Sequence, residues 1–113
     1  MRKRKKKEAT IYHLGRMITN QPGAVISRTI VRRKPGTITM FGFATGQGLP
    51  EHVVPYDAIL YLSEGTMEVG IHGVAEPLPY KAGEMAYVPA HIPHSVVAVT
   101  PCKMFLIMIR STD

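Results

Sequence analysis

Residues Glu51–Gly65, EHVVPYDAILYLSEG, decide how the rest of the chain is read. The stretch opens beside a histidine, runs through a strand-like apolar segment and closes on a glycine turn. Further along, Gly83–His94, GEMAYVPAHIPH, also ends on a histidine, after a proline-rich turn. Side chains alternate along a strand, so positions 52, 54, 58, 60 and 62 share one face. That face carries His52, Val54, Ala58, Leu60 and Leu62, and it is mostly apolar. Two distant segments thus each bring one histidine toward what reads as a single pocket.

The neighbouring sequence has the same vocabulary of β-branched and aromatic residues punctuated by Gly and Pro. Ala24–Arg33 reads as a strand, Lys34–Gly36 as a turn and Thr37–Thr45 as a second strand. Gly46–Pro50 is expected to be a loop leading into the His52 segment. Thr66–Gly73 alternates, with Met67, Val69 and Ile71 opposite Glu68, Gly70 and His72. Ala75–Lys81, Gly83–Val88, His94–Val99 and Lys103–Arg110 complete a set of short strands. Ile11–Ile18 has apolar residues at 11, 14, 17 and 18, which predicts a short turn of helix or an edge segment. Short strands at turn spacings of roughly 8–12 residues predict an all-β sandwich or barrel.

At 113 residues the chain has the size of one domain, a barrel over 10–113 preceded by a basic tail over 1–9. Arg2, Lys3, Arg4, Lys5, Lys6 and Lys7 account for the whole net charge of +6, because the other Lys and Arg equal the Asp and Glu in number. Such a run of like charge is expected to be disordered. With no aromatic residues interleaved, its contacts with nucleic acid or anionic lipid would be non-specific. Cys102 is the only cysteine, so no intrachain disulfide forms, which fits a reducing, cytoplasmic location. The span Met85–Cys102 lacks Asp, Glu, Lys and Arg but contains Pro89, Pro93 and Pro101, which argues against a membrane helix.

The last strand is apolar on both faces, with Met104, Leu106 and Met108 on one and Phe105, Ile107 and Ile109 on the other. The second face must be covered, by the N-terminal segment or by a second subunit. Phe41, Phe43, Ile59 and Tyr61 are assigned to the same outer layer, and a homodimer is expected.

The two histidine segments resemble the paired motifs of the cupin superfamily. Gly46 or Gly48, His52 and Gly65 fall on the first motif, and Gly83, Pro89 and His94 on the second. The chain from about residue 36 to residue 109 is similar to a small, single-domain cupin-2 conserved-barrel protein. The likeness implies an all-β double-stranded β-helix, or jelly-roll, barrel. In metal-binding members the ligands come from these motifs, and by position His52 and His94 match the first and last of them. The other two positions hold Val54 and Ala58. His91, at the second motif's glycine position, would complete a three-histidine site for Zn, Fe, Mn or Ni, and Asp57 would contribute only through a bulge.

The resemblance therefore implies a small-molecule-binding barrel lined by Val54, Leu60, Met40, Met104 and Met108 beside the histidines. Its alternative is a metal-dependent enzyme of the oxygenase, isomerase or decarboxylase type, in which the metal polarises a substrate oxygen or activates water. No phosphate loop, nucleophile elbow, CxxC or HExxH is present.

Overall fold

The computed structural model describes residues 9–111, so the tail expected over 1–9 lies, apart from Ala9, outside the described residues. Within them one short helix, α1 (Leu14–Met17), precedes nine strands. These are β1 (Val25–Arg33), β2 (Gly36–Phe43), β3 (Gly48–His52), β4 (Tyr56–Glu64), β5 (Thr66–Ile71), β6 (Leu78–Lys81), β7 (Met85–Val88), β8 (His94–Ala98) and β9 (Cys102–Arg110). They form a five-stranded sheet in the order β1-β2-β9-β4-β7 and a four-stranded sheet in the order β3-β8-β5-β6. Every pairing is antiparallel. The two sheets enclose one apolar core, so the fold is the all-β barrel that the turn spacing implies, in the jelly-roll form that the resemblance implies.

The core is built by alternation. Ala58, Leu60 and Leu62 of β4 face Met104 and Leu106 of β9 and Met67 and Val69 of β5, all within the buried cluster. The β4–β5 turn is fixed by Gly65, whose φ is +92° and whose position leaves no room for a side chain: an added Cβ would lie 2.2 Å from the Pro101 carbonyl oxygen. Only glycine meets both demands.

Three expectations change in the structure. The stretch 51–65 is not one strand. It breaks at Val53–Pro55, and its halves belong to different sheets, β3 to the smaller and β4 to the larger. The loop expected over Gly46–Pro50 is largely strand, because Gly48 and Leu49 pair with Val97 and Val96 of β8. Phe43 is fully buried in the core, and Phe41 packs against that core with its ring stacked on Phe43 at 5.6 Å.

Met40 takes the place those phenylalanines were assigned. It is completely buried yet stands outside the inner cluster. It shares its strand face with Gly42, over which Ile18 and Asn20 lie. Segment Thr37–Phe43 is apolar on both parities, and periodicity alone does not say which set turns inward.

The N-terminal segment covers part of the outer face of the larger sheet. Lys103 Nζ donates to the Gly15 carbonyl at 3.1 Å and pairs with Glu64 at 3.4 Å. Toward β4 and β7 the face stays open, with Tyr61, Met85, Tyr87 and Ile109 exposed.

Candidate functional site

The two motif histidines meet. His52 ends β3, His94 opens β8, and the two are register partners. Their ring centroids are 4.6 Å apart with the planes at 51°. His94 is only 3% exposed, and His52 is half-buried.

Each ring is held in the same way. His52 Nδ1 lies 2.9 Å from the Pro50 carbonyl, and His94 Nδ1 lies 2.9 Å from the Ile92 carbonyl. A carbonyl oxygen only accepts, so Nδ1 carries the proton in both rings. In its neutral form each imidazole so held offers Nε2 as an acceptor. Two imidazole rings, each oriented by backbone two residues upstream, therefore stand side by side.

The other residues of the expected metal set do not join them. No group of three or more His, Cys, Asp or Glu side chains is close enough to hold an ion among the described residues. His91 is exposed on the β7–β8 turn, and its backbone N–H donates to the Val54 carbonyl. Asp57 faces away from the histidines: its Oδ1 accepts the Ala90 N–H at 2.9 Å and so fastens that same turn. Ala58, at the motif's acid position, is a buried core residue.

His91 has φ +71°, and it is the only non-glycine residue with positive φ among the described residues. A left-handed conformation costs a side-chain-bearing residue about 1–2 kcal/mol. His91→Gly is accordingly expected to raise the unfolding midpoint, by about 1 kcal/mol of stability, measured by urea titration. A lower midpoint would mean that the imidazole makes stabilising contacts outweighing the strain.

The expected pocket wall divides. Leu60 and Met104 are fully packed core residues, Val54 and Met108 are half-buried, and Met40 belongs to the opposite side of the larger sheet. Leu49, Ile71 and Ile92 pack against the core, Ile71 being a register partner of His94. Sequence reasoning missed Tyr80, whose hydroxyl donates to Met67 Sδ at 3.4 Å with Met104 Sδ at 3.8 Å. Burial, and secondarily the Cys102 thiol, pushes this phenol well above its ordinary range, so it stays protonated. The visible signal was its alternation with Leu78 in LPYK.

Cys102 is fully buried, its Sγ lies 3.1 Å from the carbonyls of Thr66 and Thr100, and burial pushes the thiol up. Those features make it a packing residue rather than a nucleophile.

Comparison with known proteins places this geometry in context. Residues 39–109 match the family described as Cupin domain. Among solved structures, a conserved protein of unknown function from Streptococcus pyogenes superposes with a TM-score of 0.84 at 28% identity, over 95% of this chain and 92% of that one. A cupin 2 conserved barrel domain protein from Leptotrichia buccalis gives 0.82 at 30% identity, over 88% of this chain but 47% of its own. A cupin superfamily protein from Desulfitobacterium hafniense gives 0.78 at 20% identity, over 83% and 84%, a likeness of fold alone. No curated protein sequence matches the chain.

Proposed function

The chain belongs to the cupin family, and on that premise we propose that it is a small-molecule-binding barrel whose recognition element is the His52–His94 pair. The observation that carries this reading is the shared locking of both Nδ1 atoms on backbone carbonyls. A ligand with two hydrogen-bond donors, such as a diol or an amine, would satisfy both Nε2 atoms at once. The surrounding apolar residues would exclude water and strengthen those bonds.

Members of the family commonly hold a divalent metal, and the donors here were weighed against one. Two imidazoles are fewer protein ligands than a catalytic zinc or a non-haem iron generally takes. Val54 and Ala58 supply no donor atoms in their side chains, and His91 does not join the pair in a three-residue group. The residues present do not fit a resident catalytic metal centre, and no step is derived through one.

Elemental analysis of protein purified without added metal separates the two readings, with His52→Ala and His94→Ala as controls. The expected result is less than stoichiometric Zn, Fe, Mn or Ni, alongside binding of diol- or amine-bearing compounds that both substitutions weaken at least tenfold by calorimetry. One bound metal per chain, lost in both variants, would replace the proposal with the metalloenzyme reading.

The open part of the larger sheet supports a second element of the proposal, a homodimer. Ile59, Tyr61, Met85, Tyr87, Phe105 and Ile107 form register-related rows with no charged residue, and the carboxylate of the next row, Asp57 opposite Ile109, is engaged by the Ala90 N–H. Like charges facing each other would penalise a two-fold contact, and a neutral apolar patch avoids that penalty. Light scattering is expected to give twice the chain mass at micromolar concentration, and Tyr61→Glu is expected to give monomer. A monomeric parent chain would remove the dimer from the reading.

A further inference from the structure

Two short connectors link the histidine row to one end of the larger sheet. Residues 53–55 join His52 to Tyr56, where β4 starts, and residues 89–93 join Val88, where β7 ends, to His94. The connectors are tied together, the His91 N–H donating to the Val54 carbonyl at 2.9 Å. The histidine pair and the Tyr56 end of the larger sheet therefore bound the same mouth of the barrel.

Register says what the larger sheet presents there. Arg32, Thr37, Met108, Ala58 and Val88 are successive partners across β1, β2, β9, β4 and β7. Ala58 and Val88 belong to the buried core, so this row points inward. Two residues further along, on the same face, Tyr56 stands opposite Arg110. The Arg110 guanidinium lies 5.6 Å from the Tyr56 ring centroid, and its Nη1 donates to the Tyr56 hydroxyl at 3.2 Å. In the inward row Thr37 Oγ1 is buried without a hydrogen-bond partner, so this end of the core also holds an unmet polar group.

The Tyr56–Arg110 contact helps join β4 to β9, as any good cross-strand pair does. That purpose does not require a cation with the parity of the core. The contact uses one of the several N–H donors of a guanidinium, and a phenol that accepts a bond keeps its own proton to donate. The ion pair Lys103–Glu64 does not involve Arg110. Asp57, the neighbouring carboxylate on β4, has the opposite parity and its Oδ1 accepts the Ala90 N–H, while Glu51 is exposed on β3.

We propose that Arg110, oriented by Tyr56, makes the barrel selective for small organic anions. Its guanidinium takes a carboxylate or phosphate group while the histidine pair meets hydroxyl or amine groups of the same molecule. The inference rests on the histidine pair as the recognition element of the pocket. Facing sheets stack about 10 Å apart, so one small molecule reaches both sides of the mouth. A guanidinium suits either oxyanion, because its planar fork donates two parallel charge-assisted bonds.

The test is calorimetry of the full chain with matched probes, sorbitol against gluconate and glycerol against glycerol phosphate. At least one anion is expected to bind about tenfold or more tightly than its neutral counterpart. A preference in the gluconate pair identifies a carboxylate site, and one in the glycerol pair a phosphate site. Arg110→Gln is expected to abolish the preference and leave the neutral probe unchanged, and Arg110→Lys to retain only part of it. Arg33→Gln removes the same charge from the opposite face of the sheet, where Arg33 pairs with Gly36, and is expected to keep the preference. Neutral probes that bind as tightly as the anions, and need His52, would overturn the anion site while leaving the histidine pair standing. A preference that survives His52→Ala and is lost in Arg110→Gln would support the anion site while removing the histidine pair. Binding by none of the probes overturns the proposal, as does a preference kept in Arg110→Gln or lost in Arg33→Gln. If Arg110→Gln does not fold, Tyr56→Phe must weaken the anion about threefold or more and spare the neutral probe, and no change overturns the proposal.

Discussion

Gly48→Ala is expected to lower folding stability by about 2–4 kcal/mol and to separate the two site histidines. A Cβ built on Gly48 would lie 1.8 Å from the Val96 carbonyl oxygen and 2.8 Å from its carbon. These are backbone atoms of the paired strand, so no side-chain rotation relieves the overlap. β3 would have to draw away from β8, and His52 sits at the end of β3 as the register partner of His94. The ring contact at 4.6 Å depends on that pairing. Circular dichroism should show the midpoint falling by roughly 10 °C or more, and calorimetry should show weakened binding at the remaining fold. A midpoint within a degree of the parent would mean that β3 and β8 are less tightly joined than the structure has them. The glycine serves both the fold and the site.

Phe43→Ala is expected to cost about 3–5 kcal/mol, against less than about 1 kcal/mol for Tyr61→Ala measured on the monomer. Phe43 is fully buried among Leu60, Leu62, Met67 and Met104, and its ring stacks on Phe41, whereas Tyr61 is 37% exposed. Read from sequence, both residues belonged to one outer layer, and loss of either would then chiefly have affected association. Chemical denaturation of the two variants, with light scattering alongside, distinguishes the assignments. Comparable small losses for both would return Phe43 to the outer layer.

The contrast shows where the sequence was legible. β4 and β5 were readable because one parity is apolar and the other mixed: Met67, Val69 and Ile71 against Glu68, Gly70 and His72 leaves one choice of inward face. β9 was readable as a strand apolar on both faces, and the structure gives that division, with Met104 and Leu106 buried in the core and Ile109 exposed. β2 was not, since Ile38, Met40, Phe41 and Phe43 occupy both parities and the winning set depends on what covers each face. Ile18 and Asn20 over Gly42 decide it, through contacts more than twenty residues apart in the chain. The site followed the same logic. His52 and His94 were found from spacing, while the role of Asp57 was not, because its partner is the Ala90 N–H across a strand pair.

By itself the sequence determined the fold class, most of the strands and the spacing of the two histidines, because alternation, glycine turns and motif spacing are local properties of the chain. The tertiary structure alone decided that 51–65 spans both sheets and that His91 stands apart from the other two rings. Each of these depends on which distant strands become neighbours, and antiparallel pairing sets that through the whole core. A strand's own residues specify which side chains alternate, but only its neighbours specify what they meet.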